Sequence, residues 1–352
     1  MRGNGCRVFP ASEISVDLQM LFSSLTPSYS TLQYAETRHF AVIAGNPPCP
    51  PENYDAYTHA LEQEHAKRNH RLCFFGTDEV FALASGHNYC HALIGAEPRW
   101  NLADWLGRQA ANKPVRNSLN AAFRLGCTVR EVQSDCVETG ILTACEYARQ
   151  QWLRAKRLPP LHFVAETDIV LNFALSGKRL FIVEAGGTVV CYGIIGRTVN
   201  NDEEKSADVP REYRIEHFVR APQAPNGAME MLIDHIAQTL ASEGVQTFSL
   251  SLAPFSRKAI SSLPRTLRSP CMESYLYALA RFGGYWYNAK GLEKFKCKFQ
   301  PNEWKPLYCS LRREDSPIAV LQALAEVFLG DGLMPSALAI AQRTAQMMLF
   351  GM

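Results

Sequence analysis

Residues 215 to 227 read Ile215-Glu216-His217-Phe218-Val219-Arg220-Ala221-Pro222-Gln223-Ala224-Pro225-Asn226-Gly227. An apolar strand runs into an arginine, and a turn framed by prolines then opens an amphipathic helix from Gly227 to Glu243. A further apolar run, Gln246 to Ala253, follows as the next strand. Upstream, Leu180 to Ala185 and Thr188 to Ile195 flank the turn Gly186-Gly187 and predict a hairpin of two buried strands. Strand, turn, long helix and strand form an α/β unit, and this unit fixes the fold class as α/β (α+β).

The same grammar recurs toward the N-terminus. His39 to Ile43, Leu72 to Phe75 and Val80 to Leu83 read as strands, and Gly45 to Pro51 is a cluster of breakers. Tyr54, Tyr57, Leu61 and His65 recur at helical spacing within Asn53 to Asn69. Residues 112 to 125 predict a helix with Val115, Leu119, Ala122 and Phe123 on one face, Arg116, Asn120 and Arg124 on the other, and Gly126 as its stop. Thr128 to Val132 is then a strand. Order is expected from Asp17 to Phe22, a second helix-led lobe from Glu138 to Arg157 and Leu161 to Phe163, and a polar loop from Asn200 to Val209. Ile318 to Phe328 and Ser336 to Phe350 predict two C-terminal helices packed on the second lobe. The expected organisation is a first lobe over 1–135, a second over 136–311 and a helical tail over 312–352.

Composition narrows the classes. The 352 residues are 47% hydrophobic and 20% charged, enough for generous cores. A net charge of +2 gives no bulk attraction to nucleic acid, so an RNA contact has to come from a local basic patch. The eleven cysteines are scattered, with no Cys-x-x-Cys pair and no leader-like N-terminus, which predicts reduced thiols in a cytoplasmic protein. No window reaches the roughly 18 apolar residues of a membrane span. Walker, Gly-x-Ser-x-Gly and His-Glu-x-x-His motifs are missing. His87, Cys90 and His91 have zinc-like spacing without a matching fourth ligand, so no metal site is expected.

A second signal lies at Gly291-Leu292-Glu293-Lys294-Phe295-Lys296-Cys297-Lys298-Phe299. Read alone, its three lysines alternate on one strand face, an ordinary solvated edge. Together with His217-Phe218-Val219-Arg220, Ala224-Pro225-Asn226-Gly227, Phe248-Ser249-Leu250-Ser251-Leu252-Ala253-Pro254, Ile94-Gly95-Ala96 and the strand His39 to Ala44, however, it resembles the catalytic domain of the phosphatidylglycerol lysyl- and alanyltransferases. The resemblance extends from about Phe40 to Phe328. It implies tandem GNAT-like acyltransferase lobes, with a tunnel between Glu216 to Arg220 and Phe248 to Pro254. It also implies an enzyme that uses aminoacyl-tRNA as co-substrate, with no further cofactor. The implied acceptor is phosphatidylglycerol or a small nucleophile, the former requiring peripheral contact with a membrane.

Under that resemblance Glu216, His217, Arg220 and Lys296 are the catalytic candidates. Asn226, Ser249, Ser251 and Lys298 are candidates for substrate binding, and Arg116 and Arg124 for tRNA. The residue types suit the chemistry: a carboxylate pairs with an α-ammonium, an imidazole takes a proton, and Arg or Lys stabilises an oxyanion or a phosphate. Three departures stand out. His217 occupies a position where the family has Asp, Ser251 replaces a Gly, and the family's membrane-embedded flippase segment has no counterpart here. Alternating side chains put Glu216 and His217 on opposite strand faces, so one of them is expected to line the channel. Arg116 and Arg124 also fit a solvated helix face. An acyl-CoA N-acyltransferase and a noncatalytic binding protein are the competing readings. The first is weakened by the prolines that interrupt Arg220 to Gly227, where a glycine-rich phosphate loop belongs.

Overall fold

The computed structural model describes residues 7–8, 33–85, 88–132, 139–155, 178–198, 212–282 and 288–329. The predicted segments at 17–22, 161–163, 200–209 and 336–350 lie outside these residues, as does His87. Among the described residues a single mixed sheet contains β1 (Arg7–Val8), β2 (Gln33–Glu36), β3 (Phe40–Ala44), β4 (Arg71–Thr77), β5 (Tyr89–Asn101), β6 (Thr128–Val132), β7 (Arg179–Ala185), β8 (Thr188–Arg197), β9 (Glu212–Arg220), β10 (Thr247–Ser249), β11 (Ala253–Pro254) and β12 (Glu303–Arg312). Its spatial order is β1-β2-β3-β4-β12-β5-β10-β9-β8-β7-β6, with β11 paired to β5.

Two parallel pairs carry the architecture. β3 and β4 are parallel and linked by helix α1 (Tyr54–Ala66), and β9 and β10 are parallel across a long helix, Ala228–Ser242. Parallel neighbours need a crossover, and an amphipathic helix supplies it while covering one sheet face. The expected α/β class is therefore present, with one parallel strand-helix-strand unit in each half. The halves join edge to edge, through antiparallel pairing of β10 with β5 from Thr247↔Asn101 to Ser249↔Arg99.

In sequence, α2 (Glu79–Ala84), α3 (Trp105–Ala111), α4 (Lys113–Arg124) and α5 (Thr139–Arg154) lie between the two crossover helices. The long crossover helix is α6, followed by α7 (Pro270–Phe282), α8 (Ala289–Cys297) and α9 (Pro317–Leu329). No helix among the described residues is long and apolar enough to cross a membrane.

Several elements differ from the sequence reading. Val80 to Leu83 lies in helix α2, because the Asp78 side chain accepts from Phe81 N at 3.0 Å and caps a helical turn. Phe123 is 77% exposed, and α4 buries Val115 and Ala122 instead. Two strands cross the expected boundaries. β6, at the end of the first lobe in sequence, pairs with β7 at the far edge of the second half. β12, expected in the second lobe, lies between β4 and β5 in the first half, where Leu307, Cys309 and Leu311 enter its core. Helix α9 packs there too, through Val320, Leu321 and Leu324 against Phe40 and Val42, and not on the second lobe.

Candidate active site

β9 and β10 part company at the centre of the sheet. They pair in parallel at Thr247↔Glu212, Phe248↔Tyr213 and Ser249↔Arg214, and there β10 ends. The expected strand Gln246 to Ala253 is thus broken in two, because Ser251 sits in the left-handed region at φ 59°. Its hydroxyl donates to Ile215 O and its amide donates to Ser249 Oγ at 3.0 Å. The chain then turns onto β5 as β11, pairing Ala253 with Ala96 and Pro254 with Gly95. A Cβ on Gly95 would meet Ala253 O at 2.3 Å, so the close approach requires glycine. Beyond Ile215, the edge of β9 that faces β10 has no strand partner among the described residues. The two strands therefore diverge, and the crevice between them is a wedge-shaped gap in the hydrogen-bond ladder, with Glu216 to Arg220 on one side and Leu250 to Pro254 on the other.

Lys296 braces one wall of this crevice. It does not alternate with Lys294 and Lys298 along a strand, because residues 289 to 297 form α8, capped by Asn288 Oδ1 accepting from Gly291 N at 2.8 Å. Phe295 and Phe299, four residues apart, pack with Trp100 and Trp105 in the largest core, and this helical spacing sends the three lysines in different directions. Lys294 is exposed, Lys298 half-buried and Lys296 1% exposed. The Lys296 ammonium donates to Leu250 O at 2.7 Å, Ser251 O at 3.0 Å and Leu252 O at 2.8 Å. All three of its donors are therefore spent on the carbonyls that the broken strand leaves without ladder partners. Burial pushes its pKa down to about 7, against the pull of the Glu97 charge.

A buried ionic cluster lies beside it. Glu97 and Arg99 alternate on β5, and Glu212 and Arg214 on β9, flanking Ser249. Glu97, 3% exposed, accepts from Ser249 Oγ at 2.7 Å and pairs with Arg214 Nε at 2.8 Å. Arg99 contacts Glu212 and lies 3.9 Å from Glu97. Burial pushes the Glu97 carboxyl up, but Arg214, the Ser249 hydroxyl, Arg99 and Lys296 together hold it below the usual carboxylate range. Four charges thus lock β5, β10 and β9 in register where the crevice begins.

The remaining candidates are scattered around the opening. β9 carries a register break at which Ile194 faces His217 and Ile195 faces Ile215, leaving Glu216 as the extra residue. Strict alternation therefore fails between Glu216 and His217. Glu216 is exposed and pairs with Lys178 Nζ at 2.5 Å. His217 is half-buried, and burial, with the charges of Arg149 and Lys178, pushes its pKa down to about 4. Arg220 reaches forward to Ala224 O at 2.7 Å and ties the end of β9 to its turn. Asn226 is exposed on that turn. Gly227, at φ 91°, lets the turn approach α4 so closely that a Cβ would lie 1.9 Å from Ser118 O. Lys298 bridges Ser118 Oγ at 2.7 Å and Glu230 Oε1 at 2.6 Å, joining α4 to α6. Arg116 and Arg124 are exposed on α4, Arg116 donating to Ala110 O at 2.6 Å.

The structure thus brings Lys296, Ser249 and Ser251 together at the apex, and Arg220 and Lys298 to the turn. Ser249 and Lys298 are spent on protein partners. Glu97, Arg99, Glu212 and Arg214 escaped the sequence reading, although charges alternating inside otherwise apolar strands were visible at Glu97-Pro98-Arg99 and Glu212-Tyr213-Arg214.

Known proteins share this fold. In solved structures, the C-terminal domain of a lysylphosphatidylglycerol synthetase from Agrobacterium fabrum superposes with a TM-score of 0.66 at 17% identity, covering 94% of this chain and 92% of that one. L-PGS from Bacillus licheniformis superposes at 0.64 and 18% identity, covering 92% and 89%. Among curated proteins, the lysylphosphatidylglycerol biosynthesis bifunctional protein LysX of Nocardia farcinica is 32% identical over 117 residues, which are 33% of this chain and 10% of that protein. The LysX of Mycobacterium sp. (strain JLS) is 25% identical over 226 residues, 62% of this chain and 19% of that protein. The chain therefore spans between about a tenth and a fifth of the length of these curated relatives. Residues 25–310 match the family described as phosphatidylglycerol lysyltransferase, C-terminal, and the chain belongs to that family.

Proposed function

We propose that this chain is an aminoacyltransferase that takes the aminoacyl group from an aminoacyl-tRNA and passes it to a hydroxyl of phosphatidylglycerol. The observation that carries this reading is the parting of β9 from β10 above the buried Lys296, which opens an unpaired strand edge to an extended acyl group. Family membership supports the lipid acceptor. The donor is already an ester. The acceptor oxygen attacks its carbonyl, the bond to the tRNA 3′ oxygen breaks, and the proton released by the acceptor ends on that leaving oxygen. No covalent enzyme intermediate is needed, so positioning and charge stabilisation carry the catalysis.

In this reading Arg220, held at the mouth by Ala224 O, meets the developing negative charge or the terminal phosphate. Lys296 acts through the backbone it fixes, since its donors are engaged. His217 is a neutral imidazole at physiological pH and accepts a proton from the acceptor. Arg116 and Arg124 on α4 contact the tRNA backbone. Glu216 pairs with the α-ammonium only by exchanging Lys178 for it.

A second reading, a soluble amine or hydroxyl acceptor, is favoured by His217 standing where the family resemblance expects an acid. The two are separated by incubating the protein with tRNA charged with labelled amino acids, phosphatidylglycerol vesicles and a soluble cell extract. Label in the organic phase is expected. Label confined to a new aqueous product selects the second reading, and transfer that requires acetyl-CoA in place of charged tRNA overturns both.

A further inference from the structure

At the far end of the sheet from the crevice, three side chains converge that the aminoacyl-transfer reading does not use. Glu36 ends β2, His65 lies in the last turn of α1, and His70 stands just before β4. One ring nitrogen from each histidine and a Glu36 carboxylate oxygen all lie within 4.8 Å of one another. His70 Nδ1 is 3.6 Å from Glu36 Oε1. The Nδ1 atoms of both histidines are buried and make no hydrogen bond, although His65 is only 5% exposed. A buried ring nitrogen without a hydrogen bond is costly, and two of them, on histidines that converge with one carboxylate, call for a common partner.

The backbone holds this arrangement in place. The amides of Arg68 and His70 both donate to His65 O at 3.0 Å, and Asn69 takes the left-handed conformation at φ 59°. This closed turn at the end of α1 sets the two imidazoles side by side, with ring centroids 6.4 Å apart. The Tyr34 ring packs edge-on against His65 at 5.2 Å and fixes its plane. Arg68 Nη1 lies 3.4 Å from Glu36 Oε1. At 45% side-chain exposure, it can swing into solvent and release the carboxylate.

We propose that Glu36, His65 and His70 form a binding site for a zinc-class divalent cation that staples strand β2 to α1 and to the turn entering β4. Two imidazoles and one carboxylate are a borderline donor set that selects zinc and its transition-metal neighbours over magnesium or calcium. Zinc bonds of about 2.0–2.2 Å place tetrahedral ligand atoms roughly 3.4 Å apart, so the three groups need close in by little more than an ångström. The fourth position falls to water. Only the spacing of His65 and His70 was visible in sequence, since Glu36 arrives through the pairing of β2 with β3.

The test uses the full chain stripped with a chelator and titrated with Zn²⁺ in excess Mg²⁺, with Co²⁺ as the spectroscopic probe. One equivalent is expected to bind, to raise the melting temperature, and to give a tetrahedral cobalt spectrum without a thiolate charge-transfer band. Glu36→Gln and His70→Gln, at partly exposed positions where folding can be verified by circular dichroism, should each weaken binding at least tenfold. Arg68→Ala should strengthen it. Absence of saturable binding, an affinity unchanged in both ligand variants, or a thiolate band placing the ion on cysteines would overturn the proposal. None of these results depends on whether the chain transfers aminoacyl groups.

Discussion

Lys296 donates to Leu250 O at 2.7 Å, and through this bond a helix near the end of the second half holds open the sheet on which the two halves meet. The same ammonium takes the next two carbonyls as well, so the broken strand is stabilised by one buried charge and not by a ladder.

Lys296→Met should therefore lower stability as well as activity. Removing a buried ammonium relieves some desolvation, but it strands three carbonyls, and leaving such buried groups unpaired costs about 1–3 kcal/mol. Urea denaturation should show this loss, and transfer should fall at least tenfold. Lys294→Met, at an exposed position, should stay within about 0.5 kcal/mol of the parent. Equal effects from both lysines would deny Lys296 its bracing role.

Acid should destabilise the fold early. Burial lowers His217 and His91 from the model-peptide value of 6.5 to about 4. Between these two values the unfolded chain binds more protons than the folded one. The stabilisation is thus complete above pH 6.5 and is lost as pH falls toward 4. Urea midpoints measured across this window should decline, and His217→Gln should flatten part of the decline. For the same reason, any limb of the rate profile that belongs to His217 should lie well below the free imidazole value. A slope unchanged by the substitution would place the titration elsewhere.

Glu97→Gln should be more damaging than Ser249→Ala. The first leaves Arg214 and Arg99 facing a neutral amide in a buried cluster, and breaking a buried pair in this way costs about 3–5 kcal/mol. The second removes a hydroxyl that donates to Glu97 and accepts from Ser251 N, two bonds worth about 2 kcal/mol together. Chemical denaturation of the two variants gives the comparison, and a Glu97→Gln protein as stable as Ser249→Ala would contradict the cluster's role in fixing register.

Strands and helices of the second half were legible wherever one period dominated. The Leu180 to Ile195 hairpin, strand β9 and helix α6 lie where apolar spacing puts them. Residues 294 to 298 misled because lysines at every second position mimic a strand, while the four-residue spacing of Phe295 and Phe299 is what the core reads. The break at Ser251 depends on a lysine 45 residues away, and the placement of β12 depends on partners over 200 residues distant, so no local pattern announces either. Arg220, Ser251 and Lys296 were singled out as candidates through family resemblance. The bulge at Glu216 and the full engagement of Lys296 are tertiary facts that change their roles.

The most direct test of the crevice is binding of a non-hydrolysable 3′-aminoacylamino-adenosine, which mimics the charged end of tRNA, measured by calorimetry. The wild-type chain is predicted to bind it, with affinity reduced at least tenfold by Arg220→Ala or Lys296→Met in folded protein and unchanged by Lys294→Met. Identical binding in all four proteins, or none in the wild type, would contradict the assignment of aminoacyl transfer to the gap between β9 and β10.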